Sequence, residues 1–349
     1  MLNSFLLSRV LLKFGSDAED LLAQLSAIVR TPDGSLWVGS DEYLTVERLQ
    51  PSDTCVYDNH QVFHLGDFVE LVDTESEIDI EGMDYADGYL WLIGSHSIKR
   101  RQAKGKNPKK DIKRLAKITT DPNRYLLARI PLVEGGLVKA GGSDGQFSAA
   151  ALGERHSLRL LLQDDDHLSA FLGLPSKDNG LDIEGVATCD HRVFLGLRGP
   201  VLRGWAVIIE LELEETGVGV LACKDLGKGA LYRKHFVNLN GLGVRDLCFQ
   251  GKDLIILAGP TMTLDGRMQV FRLKDALTHA TDTIWDQGSG LLEVLFDLPL
   301  AVGCDRAEGI TLFPCLGYDE SLLVVYDAPD PARRPRGGSI FADVFRLPT

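Results

Sequence analysis

The chain has no stretch of 18 consecutive apolar residues, so it offers no transmembrane helix and no membrane partner is expected. It also lacks closely spaced cysteines. Its six (Cys55, Cys189, Cys223, Cys248, Cys304 and Cys315) are scattered with no C-x-x-C pair. That argues against a cysteine zinc site or a disulfide framework, and points to reduced thiols in the cytoplasm. Walker A, G-x-G-x-x-G and H-E-x-x-H patterns are missing, which removes the usual nucleotide-binding and zinc-protease readings. One G-x-S-x-G stretch, residues 141–145, sits in a Gly-rich link without the flanking strand and helix that a nucleophile elbow needs. The N-terminus, MLNSFLLSRVLLKFG, has neither a basic leading region nor a small-residue cleavage site, and reads as a strand.

What remains is a chain of 349 residues, 44% apolar and 25% charged, able to bury a large core. Its formal charge of −13 is unevenly spread. Residues 99–117, KRRQAKGKNPKKDIKRLAK, hold ten Lys or Arg against one acid. This basic insertion reads as a solvated, mobile loop. No aromatic residue is interleaved to stack bases, which argues against nucleic acid.

One unit recurs five times: residues 25–42, 79–97, 182–200, 244–260 and 306–328. Each copy is an apolar strand, a turn rich in Asp, Gly, Asn or Pro, and a second, more apolar strand. Two further strands follow the first four copies. The pattern predicts an all-β fold, a β-propeller of five four-stranded blades in one domain spanning residues 1–349. After the fifth copy one strand is lacking, and the N-terminal FLLSRVLLKF can supply it and close the ring. A sixth blade in the long gap between copies two and three is the alternative. The preferred reading there is a helical insertion at about 152–173, because LGERHSLRLLLQDDDHLSAFLG has helical spacing.

In such a blade, residues before the first strand and after the second meet at one mouth of the central channel. That brings Asp182 and Glu184 beside Arg198, with Asp79, Glu81 and His96, Arg245 and Asp246, Asp305 and Glu308, and Asp41 from the other copies. Glu81, Glu184 and Glu308, with Asp246 at the equivalent place in copy four, are candidate ligands for a hard divalent cation, Ca²⁺ or Mg²⁺. The competing reading is that the acids pair with Arg198, Arg203 and Arg245. As a metal-dependent hydrolase of an anionic small molecule, the protein would use Arg198 and Arg203 as catalytic cations. His96 would move the proton, and Arg101, Lys177 and Arg245 would bind substrate. The alternative is a non-catalytic binding or scaffold propeller. Oligomeric state is left open.

The segments PSKDNGLDIEG (175–185) and GLRGPVLRGWA (196–206), with an upstream IEG and GSHS, resemble an uncharacterised bacterial family known only as a domain of unknown function. The resemblance covers nearly the whole chain and carries no activity. More loosely, the E-G strand opening is similar to calcium-dependent propellers of the gluconolactonase and phytase-like groups. That likeness implies acidic residues at the channel mouth holding a metal that polarises a lactone or phosphate ester.

Overall fold

The computed structural model describes residues 3–15, 18–141, 147–153, 157–262, 265–299, 301–335 and 337–348; most of the 141–145 motif lies outside them. The chain is mostly β and propeller-like. Its strands fall into antiparallel meanders whose pairings follow the sequence repeats. The first unit is Leu25–Arg30, Leu36–Ser40, Thr45–Asp53 and Val56–His64, each paired with the next. The second is Ile80–Ala86, Tyr89–Gly94, Leu127–Val133 and the short Ala150–Leu152. Asp182–Cys189, Arg192–Gly199, Ala206–Gly217 and Arg233–Val237 make the third. Gly243–Gln250, Asp253–Gly259, Gln269–Leu273 and Leu292–Asp297 make the fourth. The last comprises Arg306–Cys315, Tyr318–Asp327 and Ser339–Arg346, with Leu6–Lys13 from the N-terminus paired antiparallel on its outer edge (Val10 opposite Ala342, Leu12 opposite Ile340).

The first strands of the five units pack side by side in a closed circuit. Between neighbouring units lie apolar layers fed by strand alternation. Leu90 and Leu92 of one strand face Ala27, Val29 and Trp37 of unit one, while Trp91 and Ile93 point the other way, toward Val186 and Leu195 of unit three. Phe194 enters the next layer with Leu254 and Ile256, and Ile255 and Leu257 enter the one after with Ile310 and Leu322. Val10 and Leu12 complete the last layer with Leu25, Ile28 and Phe313. A period of two, apolar on both faces, is what a sheet packed on both sides requires.

The expected helical insertion is only partly helical. Within its described residues the α-helix is a single turn, Leu158–Leu161, followed by 3₁₀ turns at Ser169–Phe171 and Ser176–Asp178. The Asp165 carboxylate accepts from the backbone N–H groups of His167 and Leu168, both at 2.9 Å, which favours a turn over continued helix. The basic insertion has secondary structure of its own. It forms a hairpin pairing Lys99 with Thr119 and Arg100 with Ile118, topped by helix α1 (Pro108–Leu115).

Candidate functional site

Every first strand carries the same irregularity. Pairing with the second strand skips one residue between Leu25 and Ala27, Ile80 and Gly82, Ile183 and Gly185, Val244 and Asp246, and Ala307 and Gly309. The skipped residues are Ser26, Glu81, Glu184, Arg245 and Glu308. A bulge breaks the side-chain alternation and re-aims the extra residue, so these five occupy one equivalent position around the circuit. Arg245, rather than Asp246, is therefore the counterpart of the glutamates.

Asp246 takes the place that Gly82, Gly185 and Gly309 hold in other copies. There the backbones approach closely: a Cβ on Gly82 would lie 2.7 Å from the Val186 nitrogen, and one on Gly185 2.9 Å from the Asp246 Cα. The Asp246 side chain is fully buried and accepts from the Leu247 N–H at 2.8 Å and the Ile310 N–H at 2.7 Å. One oxygen thus bonds within its own strand and the other ties unit four to unit five, so both carboxylate oxygens of this expected metal ligand accept from backbone amides.

The remaining candidates form a chain of alternating charge. Arg198 lies 2.9 Å from Asp182 and donates to Glu184, whose other oxygen lies 3.0 Å from the Arg245 Nε. Arg245 in turn donates to Glu308. Asp182, Glu184, Arg198 and Arg245 are all buried. Burial pushes the Asp182 carboxyl up to about 7, with Arg198 opposing. Arg198 is held above the usual guanidinium range because its carboxylates outweigh desolvation, whereas burial lowers Arg245. Glu81 has no cation within ion-pair distance among the described residues, and burial together with Glu184, Asp79 and Asp182 raises its carboxyl well above the ordinary value. Asp41 is raised to about 7 by burial and by Asp79, Asp327 and Glu42.

A sequence reading missed Arg124. It arrives from the loop after the basic hairpin and is 2.6 Å from Asp79, 3.1 Å from Glu77 and 2.8 Å from the Ser97 hydroxyl. Nothing in its local sequence, Pro-Asn-Arg-Tyr, signals this burial. The Arg-rich loop of unit five likewise turns Arg333 inward, 2.8 Å from both Asp305 and Asp343.

Beside the ion-pair chain opens a small cleft of about 70 Å³ lined by Lys177, Arg198, Arg245, Arg306, Glu308 and Asp327, among others. Lys177 comes from the Ser176–Asp178 turn that follows the insertion and stands exposed at the cleft's rim, with no carboxylate within ion-pair distance among the described residues. Arg198 beside it, and then desolvation, lower its proton affinity.

Other expected members lie elsewhere. His96 is fully buried, with Nδ1 2.9 Å from the Gly94 carbonyl, and burial pushes its imidazole down to about 4. Proton transfer at an open mouth does not suit such a ring. Arg203 is exposed in the Leu202–Trp205 turn with φ of 51°. Arg101 is exposed on the basic hairpin. Among the described residues, no group of three or more His, Cys, Asp or Glu side chains is arranged to hold a metal ion. Of the expected donor set, arginines pair with Glu184 and Glu308, amides bond Asp246, and Glu81 alone has no partner among the described residues.

Among solved structures, a glucose dehydrogenase-like oxidoreductase from Thermus thermophilus shares 14% identity over 97% of this chain and 99% of that one, with a TM-score of 0.40. A structure titled as a gluconolactonase shares 10% over 93% and 74%, with a TM-score of 0.41. Virginiamycin B lyase from Staphylococcus aureus shares 11% over 97% and 99%, with a TM-score of 0.35. Likenesses this distant carry no argument about activity. No curated protein sequence matches. A family model matches residues 24–343, and the chain belongs to that family, described as "Protein of unknown function (DUF3616)".

Proposed function

We propose that the protein is a five-bladed, single-domain propeller whose mouth binds a small, hydroxylated anion. The circuit of five first strands and the apolar layer at each interface support the blade count. The observation that carries the binding reading is Lys177, an unpaired cation set over the Asp182–Arg198–Glu184–Arg245–Glu308 chain and facing the cleft. Arg198 and Arg245 are locked by carboxylates, so Lys177 offers the free charge for an anionic group. Glu81 and Asp41, on the acid-rich side, would meet hydroxyl groups. A network closed by its own counter-charges is built to hold shape, which favours a ligand-binding module over a hydrolase. The six free thiols accord with a reducing, cytoplasmic setting. Calorimetric titration with sugar acids and sugar phosphates tests the reading: Lys177→Ala should weaken binding at least about tenfold, the loss of one charge-assisted contact. Unchanged affinity would refute it.

Glu81 favours a second reading, a hydrolase dependent on Ca²⁺ or Mg²⁺. Its crowded, unpaired carboxylate, near Asp79 and Asp182, is where added cation charge would be most stabilising. Metal analysis of the purified protein, followed by a lactone and phosphate-ester screen, tests it.

A further inference from the structure

We propose that the basic hairpin 99–117 extends the mouth site, so that the ligand is an acidic oligosaccharide running from the Lys177 cleft onto the hairpin. This rests on the anion-binding reading above and enlarges it.

The hairpin is built rather than loose. The Asn107 side chain caps α1 by accepting from the Lys110 N–H at 3.1 Å, and Pro108 opens the helix. Asp111 accepts from the Lys104 N–H at 2.9 Å, and Arg114 donates to the Gln102 carbonyl at 2.7 Å. Its base is fixed to the rim of the cleft. The Ser176 N–H donates to the Ile98 carbonyl at 3.0 Å, and Arg100 lies 2.8 Å from Asp178, the residue after Lys177.

The two stem cations are neutralised, Lys99 by Glu77 and Arg100 by Asp178. Beyond them, Arg101, Lys104, Lys106, Lys109, Lys110 and Lys113 are exposed and have no ion-pair partner among the described residues. In a chain of net charge −13, an arm of unpaired cations beside an anion cleft matches a ligand with repeated negative charge. The chemistry of that ligand is narrowed from both ends. The hairpin has no aromatic residue to stack bases, which disfavours single-stranded nucleic acid. Glu81 and Asp41, whose carboxyls burial holds toward the protonated form, suit hydroxyl groups between the charges. A chain of uronic acids supplies both carboxylates and hydroxyls.

The test is calorimetry with galacturonic acid and its trimer and hexamer, repeated at low and high salt. The variants are Lys106→Gln/Lys109→Gln/Lys110→Gln/Lys113→Gln on the arm and Lys177→Ala in the cleft. A charge-matched control, Lys13→Gln/Lys139→Gln/Lys228→Gln/Lys252→Gln, removes four exposed lysines elsewhere. For wild type and control, the hexamer should bind at least about tenfold tighter than the monomer, by linked contacts. Salt should shrink that ratio. The arm variant should lose the length effect while keeping its monomer affinity, and Lys177→Ala should weaken every length. Equal affinity for monomer and hexamer in wild type, or an undiminished ratio in the arm variant, overturns the extension alone. Hexamer binding that depends on the arm but ignores Lys177 overturns the mouth reading instead. Tighter binding of polyphosphate or single-stranded DNA than of the hexamer overturns the assignment to a sugar acid.

Discussion

Glu184→Gln probes the ion-pair chain at its centre. Glu184 is buried and shared by Arg198 and Arg245. Removing one partner of a buried pair costs about 3–5 kcal/mol. Here each guanidinium keeps a second carboxylate, Asp182 for Arg198 and Glu308 for Arg245, and Gln retains one accepting oxygen. The expected loss therefore falls below that range, at about 2–3 kcal/mol. For a chain of this length the unfolding entropy is roughly 0.7 kcal/mol per degree, so the melting temperature should fall by about 3–4 °C. A double-mutant cycle with Arg245→Gln isolates the pair. The double variant should be less destabilised than the two single losses together, with a coupling of about 1–3 kcal/mol. Calorimetric or circular-dichroism melting reads all four proteins. A loss under about 0.5 kcal/mol, or strict additivity, would refute the claim that Glu184 holds two arginines.

Other outcomes follow from the same geometry. Asp41 has its proton affinity raised to about 7. Its stabilising contribution is thus complete below the ordinary carboxylate range and lost as pH rises through about 7. Asp41→Asn should gain roughly 1–3 kcal/mol over wild type at pH 8 and little at pH 5, by melting at both; no pH dependence would contradict this. His96 runs the other way. Its folded value near 4 lies below the ordinary 6.5, so stability should fall as pH drops from about 6.5 toward 4. His96→Gln should flatten that slope. Deleting residues 1–14 removes the strand opposite Ser339–Arg346 and exposes the apolar layer that Val10 and Leu12 complete, so the truncated protein should aggregate; a soluble product with an unchanged melting curve would contradict the closure. Neutralising the hairpin lysines should leave the melting temperature unchanged, since Ile112 and Leu115 beside them are already exposed.

The repeats were legible because each combines a two-residue period with a turn signal, and the spare N-terminal strand followed from counting. The pairing of Asp182 and Glu184 with Arg198 was legible too, as topology alone brings strand starts and ends together. The equivalence of Arg245 was not. Matching Val-Arg-Asp-Leu to Ile-Glu-Gly-Met by acid type shifts the register by one residue, and only the bulge reveals that Arg245 stands where the glutamates do. Burial also escaped the sequence. His96 reads as an available base in Gly-Ser-His-Ser, yet it is enclosed, while Arg124 becomes central through long-range packing that no local motif encodes. The insertion looked helical by spacing, but Asp165 bonding to backbone amides favours turns.

The most direct test of the mouth as a closed acid–arginine network is the melting curve of metal-stripped protein with and without added calcium. A cation held only by the folded state would raise the melting temperature with concentration. The account predicts superimposable curves, because arginines and backbone amides already engage Glu184, Glu308 and Asp246. A calcium-dependent rise of several degrees, reversed by chelator and absent in Glu184→Gln, would contradict it.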